Sequence, residues 1–254
     1  MQRISRFRII GVTVAMLGML AAPIYQAEAI TVKPLVVDLK TSGRGINQIV
    51  SVENTAATAV PVQLTVQELV VESGETHGTG KDPGDLVVFP PQALIQPGQT
   101  QTFRVQYVGD PALTRSKHYY ITVAQLPVKP KAGESAVQVV FSFQVLVSVG
   151  PQGAKPALHV QSTGVSKNDA GKPVPVITVA NDSSTYGYLS HGKLRIIEKD
   201  AAGREVFRQT LSGPEIQQQL GMGLITSGQE RKFTLAGVLP LTEGTIEAKF
   251  TPDS

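Results

Sequence analysis

The sequence predicts an all-β protein built from two β-sandwich domains, and three observations predict it. Apolar and polar side chains alternate with a period of two from Ile30 onward, as in Val60 to Leu69 and Thr102 to Val108. Turn sequences rich in Gly, Pro and Asp separate these runs at short intervals. A Pro- and Gly-rich break at 150–156 then divides the remaining chain into two parts of sandwich size.

The first 29 residues have the three parts of a secretory signal peptide. Met1 to Arg8 is cationic, Ile9 to Ala22 is apolar, and Ala27-Glu28-Ala29 is a small-x-small cleavage site. The alternative is a membrane anchor, but about 14 apolar residues are fewer than the roughly 20 that a membrane span needs. We therefore expect a signal peptide at 1–29, cleavage near Ala29, and a mature protein exported beyond the inner membrane.

Composition excludes several classes of function. The chain has 23 Lys and Arg against 20 Asp and Glu, but three of the arginines and one acid lie in the signal segment. The remaining 20 basic and 19 acidic residues nearly cancel, so no basic surface for nucleic acid is expected. Cysteine is absent, which excludes disulfides, thiolate metal sites and cysteine nucleophiles.

Motifs for catalysis or cofactor binding are missing from the sequence. None of the four histidines has a second histidine at the spacing that metal ligands use: His77, His118, His159 and His191. Neither a nucleophile elbow nor a phosphate-binding loop is present. We therefore expect no enzyme, no cofactor and no metal.

The two predicted domains comprise residues 30–150 and 151–254, and no internal repeat relating them is apparent. Within the second domain, Asp200 to Gly203 predicts a hairpin turn between two strands. Pro214 and Gly221 are typical of a helix start and a helix stop, so one short helix is predicted between them.

The most informative segment is the alternating run from Val137 to Val149. Every odd position is apolar over 13 residues, which is about 40 Å at roughly 3.3 Å per residue, whereas sandwich strands usually have about five or six residues. One interpretation is a long core strand whose apolar face is buried in its own domain. The other is an edge strand that pairs with another chain, because soluble proteins otherwise suppress long apolar edges. Pattern alone leaves both interpretations open.

The residues around this strand resemble the PapD-like family of periplasmic pilus chaperones. Five segments carry the resemblance, in this order: Val88-Phe89-Pro90-Pro91, Gln96-Pro97-Gly98-Gln99, Phe103-Arg104-Val105, Tyr119 to Val123, and Leu126-Pro127. The resemblance extends from about Val87 to Pro151 and more loosely over residues 30–54. It implies two immunoglobulin-like β-sandwich domains set at an angle, a periplasmic location and no need for ATP.

The same resemblance implies that the protein binds pilus or surface-fibre subunits by donor-strand complementation and delivers them to an outer-membrane usher. Matched by position, the donor side chains would be Val137, Val139 and Phe141, with Phe143 as a further candidate. Whether the unoccupied strand is capped by a dimer of the chaperone itself stays open.

One feature that the resemblance implies is missing from this chain. Well-studied members of the family carry an Arg on the first strand and a Lys on the donor strand, which together anchor the subunit's C-terminal carboxylate. Here those positions fall at Pro34 and Leu146. The nearest substitutes are Lys33, as a single charge, and Gln144, as a neutral hydrogen-bond donor. The alternative for Lys33 is an ordinary solvated lysine.

Two other functions fit an exported β-sandwich. A carbohydrate-binding module needs exposed aromatic platforms, yet the chain has no Trp and six Tyr. A structural fibre subunit usually carries its donor segment as an N-terminal extension, whereas the alternating run here lies in the middle of the chain. Both alternatives are therefore weaker interpretations of the sequence than a subunit chaperone.

Overall fold

The computed structural model describes residues 30–72, 75–127 and 140–253, and their strands form two β-sandwich domains, as predicted. The predicted signal segment 1–29 lies outside the described residues, as do Val137 and Val139. Among the helices that are described, none is long and apolar enough to cross a membrane.

The first domain packs two sheets against each other. Its strands are β1 (Ile30–Lys33), β2 (Val36–Lys40), β3 (Asn47–Asn54), β4 (Val60–Glu72), β5 (Glu75–Gly78), β6 (Leu86–Phe89), β7 (Gln92–Ile95), β8 (Thr100–Tyr107), β9 (Lys117–Gln125) and β10 (Ser142–Gly150). One sheet has the order β1-β3-β8-β6, and the other has the order β2-β10-β9-β4-β5 with β7 also paired to β4. Strands β2 and β10 pair in parallel, whereas the other described pairs in this domain are antiparallel.

Alternation in the sequence builds the core of this sandwich. In β8, Phe103, Val105 and Tyr107 are buried, while Thr102 before them and Arg104 among them are exposed. A period of two sends successive side chains to opposite faces of a sheet, so each such strand contributes one apolar row to the core. The chain leaves one sheet and enters the other at Pro34, between β1 and β2, where the missing N–H group of proline removes a ladder hydrogen bond.

The second domain contains eight described strands and one α-helix. They are β11 (Leu158–Lys167), β12 (Pro173–Asn181), β13 (Gly187–Tyr188), β14 (Gly192–Lys199), β15 (Glu205–Leu211), α1 (Gly213–Leu220), β16 (Leu224–Ile225), β17 (Glu230–Thr234) and β18 (Thr245–Pro252). Sheets β11-β12-β17 and β15-β14-β18 enclose the core, and β13 pairs with β16.

Both local predictions for the second domain are confirmed. The Gly203 N–H donates to the Asp200 carbonyl at 2.9 Å, closing the turn between β14 and β15. Helix α1 begins one residue before Pro214 and ends before Gly221. Its start is stabilised because the Glu215 carboxylate accepts the Ser212 N–H at 2.8 Å, as a capping-box glutamate does.

An internal repeat relates the two domains, centred on two buried asparagines. Asn54 ends β3 and Asn181 ends β12, and each side-chain amide donates to the carbonyl four residues later at 2.8 Å, on Thr58 and Thr185 respectively. Each amide also donates to the carbonyl of an isoleucine far along the chain: Ile95 at 2.9 Å for Asn54 and Ile225 at 3.1 Å for Asn181.

The turn that follows each isoleucine completes the repeat. The Gly98 N–H donates to the Asn54 carbonyl, and the Gly228 N–H donates to the Asn181 carbonyl. Both glycines have a positive φ, near 69° and 65°, which other residues rarely adopt. The pattern Ile-x-x-Gly-Gln-x-x-x-Phe thus occurs in both domains, at 95–103 and at 225–233. The repeat is not apparent from the sequence alone, because it resides in a few turn and hydrogen-bonding positions.

Candidate functional site

Strand β10 is covered on one side over only part of its length. Strand β9 pairs with it from Ser142 to Val149, whereas β2 pairs only with Leu146 to Gly150. The Leu146 N–H donates to the Leu35 carbonyl at 2.9 Å, where the pairing with β2 begins. Backbone groups of alternate residues in a strand point to the same side, so those of Ser142 and Gln144 point toward this side as well. Among the described strands, none covers that side before Leu146.

We call the uncovered part of β10 together with the two residues before it, residues 140–145, the open edge. Three apolar side chains in or next to the open edge have large exposed fractions: Val140 at 51% and Phe141 at 40% within it, and Leu35 at 51% beside it. Phe141 precedes the strand but continues its alignment, because its carbonyl accepts the Gln125 N–H of β9 at 2.9 Å. An edge that combines free backbone groups with exposed apolar side chains is able to pair with a strand from another chain.

The predicted donor residues fall into three situations. Phe141 is exposed at the open edge, as the edge-strand interpretation predicts. Phe143 is partly buried and packs against the core of its own domain, and the odd residues after it are fully buried there. Val137 and Val139 lie outside the described residues. Among the described residues of the alternating run, those after Phe143 form a core strand and those before it lie at the open edge.

Lys33 and Gln144, the predicted substitutes for the missing anchor, belong to different sheets. Lys33 is exposed on β1, opposite Ser51 of β3. Gln144 is exposed on β10, opposite Thr122 of β9. The residue that pairs with Leu146 is Val36 of β2, two residues beyond Pro34. At the position where the resemblance implies a cation pair, the strand register therefore places an apolar pair, Val36 and Leu146.

That apolar pair forms part of a cluster between the domains, which we call the interdomain cleft cluster. Its residues are Val36, Leu69, Val71, Tyr120 and Leu146 from the first domain, and Tyr186, Tyr188, Met222 and Leu224 from the second. The interdomain cleft cluster stabilises the contact between the domains, because its apolar surface is removed from water. Hydrogen bonds between the domains are made by the polar groups that surround this cluster.

A polar network beside this cluster connects the two domains. The Tyr186 hydroxyl donates to Asp38 Oδ1 at 2.8 Å, and the Tyr188 hydroxyl lies 3.0 Å from both Asp38 Oδ1 and Ser148 Oγ. Burial raises the pKa of both tyrosines well above its usual range, so both hydroxyls remain protonated donors. Ser148 Oγ lies 2.9 Å from His118 Nδ1, which extends the network into the first domain.

His118 makes this network sensitive to pH. The imidazole is buried without a carboxylate partner in the described residues, and desolvation lowers its pKa from 6.5 to about 4. Since the unfolded imidazole titrates near 6.5, the unfolded chain binds more protons than the folded one between pH 6.5 and 4. Stability is therefore retained above pH 6.5 and falls as the pH decreases toward 4.

As the pH decreases from 6.5 to 4, protonation of His118 in the unfolded chain is expected to lower the free energy of unfolding by about 3 kcal/mol. Chemical denaturation across this range should show a flatter dependence for His118→Gln than for the parent chain. His77→Asn serves as the control, because His77 is an exposed histidine that does not belong to this network. Equal slopes for parent and His118→Gln would contradict the assignment.

Arg231 of β17 is a cation at the cleft that the sequence analysis missed. Its guanidinium donates to the Leu224 carbonyl at 3.1 Å and lies 5.1 Å from the centre of the Phe233 ring. Burial lowers its pKa, and Tyr120 and Glu75 of the first domain oppose that shift. The signal was present in the pattern, because Arg231 occupies the inward position two residues before buried Phe233, where an apolar residue is expected.

No side-chain group suited to a metal is found in the described residues: no three His, Asp or Glu residues are grouped as potential ligands. The described tyrosines are buried or half-buried, so they offer no flat platform for a sugar ring. What the described geometry offers is an open strand edge and a cleft, and both are suited to binding a polypeptide.

Comparison with known proteins gives the family. A sequence model for the "Pili and flagellar-assembly chaperone, PapD N-terminal domain" matches residues 29–155, half of the chain. No curated protein matches the sequence. The chain belongs to the PapD-like family of pilus assembly chaperones, whose members are non-enzymatic and periplasmic.

Solved structures share the fold at low sequence identity. The class 5 fimbriae chaperone CfaA is 15% identical with a TM-score of 0.52, over 87% of this chain and 99% of that one. A chain of the CsuC–CsuE chaperone–tip adhesion subunit complex of Acinetobacter baumannii is 13% identical with a TM-score of 0.51, over 87% and 97%. A chain of the complex of Salmonella enterica SafA pilin with the SafB chaperone is 14% identical with a TM-score of 0.50, over 84% and 86%.

Proposed function

We propose that this protein is a periplasmic chaperone that binds pilus or surface-fibre subunits by donor-strand complementation. The observation that carries the proposal is the open edge of β10, with backbone groups of Ser142 and Gln144 directed outward beside exposed Phe141. A subunit that lacks a strand would pair with this edge. The family membership supports subunit binding, and no group arranged for catalysis is described, so we propose no enzymatic activity.

The donor side chains of this proposal are Val137, Val139 and Phe141, on the segment that leads into β10. Phe143 contributes at the junction, because it packs partly against the chaperone's own core. Full burial of an apolar side chain of this size contributes about 1.5–3 kcal/mol. Backbone pairing with the open edge adds register rather than a large net energy.

For the subunit's C-terminal carboxylate we propose a different anchor from the cation pair implied by the resemblance. Gln144 is exposed on the open edge and offers a neutral amide donor. Arg231 lies beside Leu224 of the cleft cluster, and its pKa responds to Tyr120, the cross-strand neighbour of Leu146. Lys33 lies on β1, in the sheet that does not contain β10. We therefore propose that its charge acts on the carboxylate at longer range than that of Arg231.

Arg231→Gln is expected to weaken subunit binding by about tenfold to a hundredfold, because a charge-assisted hydrogen bond to a carboxylate is worth about 1.5–3 kcal/mol. Arg195→Gln is the matched control, since Arg195 is exposed on β14 of the same domain. Lys33→Ala and Gln144→Ala in the same assay rank the three anchor candidates. Binding by Arg231→Gln at the parent affinity would rule out its role as an anchor.

The proposed partners follow from the same site. The captured subunit would be delivered to an outer-membrane usher and exchanged onto the next subunit, and residues 1–29 would direct export to the periplasm. In the absence of a subunit, two chaperones could cap each other through their open edges. Sedimentation of the protein with and without a bound subunit would detect such a dimer.

The experiment that tests the proposed function is co-expression with a pilus-type subunit encoded beside this gene. We expect the subunit to be degraded or aggregated alone and to co-purify from the periplasm as an equimolar complex when the chaperone is present. The control is an unrelated exported β-sandwich protein in place of the chaperone. Failure to recover any such subunit with the chaperone, together with unchanged subunit levels, would reject subunit binding.

A further inference from the structure

A pocket of about 330 Å³ lies beside the connection between the domains, separate from the open edge. The first domain contributes Asp38 and Lys40 of β2 to its lining. The second contributes the aromatic residues Tyr186, Tyr188 and Phe250, together with His191. The volume lies at the lower end of the range for small-molecule sites, and pockets at domain interfaces are common ligand sites.

The aromatic wall of the pocket is held in a fixed arrangement. The rings of Tyr186 and Tyr188 meet edge to face at 5.3 Å between centroids, and Tyr188 and His191 do so at 5.0 Å. The hydroxyls of both tyrosines bond to Asp38, which keeps the carboxylate and the rings together. This places a negative charge next to aromatic rings, a combination that attracts ammonium groups.

The pocket also contains a positive charge. Asp38 and Lys40 are alternate residues of β2, so their side chains project from the same face, with backbones about 6.6 Å apart. Among the described residues, no Lys, Arg or His forms an ion pair with the Asp38 carboxylate. The Lys40 ammonium instead lies toward Gly150, 3.5 Å from the point that a Cβ on this glycine would occupy. The two opposite charges thus line one pocket without being paired with each other.

We propose that this pocket binds a small zwitterion, an α-amino acid or an N-methylated ammonium carboxylate, between the two domains. The ligand ammonium faces Asp38 and the tyrosine rings, and the ligand carboxylate faces Lys40. A purely cationic ligand would be repelled by Lys40, and a purely anionic one by Asp38. The proposal goes beyond subunit binding and does not depend on it. None of the pocket's residues belongs to the open edge, and the pocket shares only Tyr186 and Tyr188 with the interdomain cleft cluster.

Contact with both domains predicts a consequence of binding. A ligand that binds the folded arrangement and not the unfolded chain stabilises that arrangement in proportion to its concentration over Kd. The zwitterion should therefore raise the midpoint of thermal unfolding.

Isothermal titration of the mature protein with glycine betaine and with L-valine tests the proposal. The single-charge controls are choline, which lacks the carboxylate, and 3,3-dimethylbutyrate, which replaces the ammonium nitrogen by carbon. We expect saturable binding of at least one zwitterion, about tenfold or more tighter than either control, since each loses one charge-assisted contact. Absence of saturable binding by both zwitterions at millimolar concentration, or equal binding of the controls, would overturn the proposal.

Variants locate the binding in the pocket. Asp38→Asn keeps an oxygen that accepts from the tyrosines but removes the charge, and Lys40→Gln removes the positive charge. Each should lower the affinity for the zwitterion about tenfold. Glu53→Gln, an exposed carboxylate on β3, should leave it unchanged. If Asp38→Asn does not fold, Lys40→Gln decides alone, and parent affinity in the folded variants refutes the assignment.

Discussion

Replacing Phe141 with aspartate is expected to abolish capture of a pilus-type subunit while leaving the chaperone folded. Phe141 has 40% of its surface exposed beside the open edge, so its own domain tolerates a polar side chain there. In the complex the same position would be buried in the subunit, where an unpaired carboxylate is strongly disfavoured. Loss of the apolar contact together with this desolvation predicts an affinity at least about a hundredfold weaker.

Val206→Asp is the matched control for this prediction. Val206 has the same 40% exposure but lies on β15 of the second domain, outside the open edge. Both variants should show the parent's thermal unfolding midpoint within a few degrees, and only Phe141→Asp should lose the subunit in periplasmic co-purification. If Phe141→Asp captured and stabilised the subunit as the parent does, strand donation through this segment would be wrong.

Replacing Asn181 with alanine is expected to lower the stability of the second domain by about 3–5 kcal/mol. The buried amide donates to the carbonyls of Thr185 and Ile225, and its oxygen accepts the Ser183 N–H at 3.1 Å. Each buried backbone group left without a partner costs about 1–3 kcal/mol. Because the Thr185 carbonyl immediately precedes Tyr186, the variant should also loosen the contact between the domains.

Urea denaturation followed by probes in each domain measures this effect, since two domains need not unfold in one step. Asn54→Ala should act on the first domain to a similar extent, because Asn54 has the corresponding bonds to Thr58 and Ile95. Asn47→Ala is the control, a half-buried asparagine on β3 for which a change within about 0.5 kcal/mol is expected. A loss below about 1 kcal/mol for Asn181→Ala would contradict the proposed role of the hydrogen bonds.

The fold was predictable because its determinants are local. Alternation from Ile30 onward, turn residues such as Pro97-Gly98, and the Pro214 and Gly221 boundaries each depend on a few neighbouring residues. The repeat was not predicted because it depends on Asn54 and Asn181, whose partners lie more than 40 residues away. The shared residues are few and widely spaced, so the repeat becomes evident only when the hydrogen bonds of the two asparagines are compared.

The site was predictable only in part, for the same reason. Phe141 was singled out by its position in the family resemblance, on a strand that alternation had already marked, and in the structure it is exposed at the open edge. The pairing of Val36 with Leu146 depends on the register between strands that are distant in sequence, so one-dimensional matching placed the counterpart two residues early. The contact of Tyr186 with Asp38 spans 148 residues and depends on how the domains dock, which periodicity does not encode.

The parallel pairing of β2 with β10 has a consequence for the order of folding. Val36 and Leu146 are separated by about 110 residues, so this pairing closes one of the longest loops of the domain and carries a large entropic cost. We expect β2 to dock late, after β10 has joined β9. Until then the side of β10 that faces away from β9 is exposed along the whole strand. The docking of β2 covers this side from Leu146 onward and leaves the open edge uncovered. A nascent chain in which β2 has not yet docked would therefore be the species most prone to aggregate.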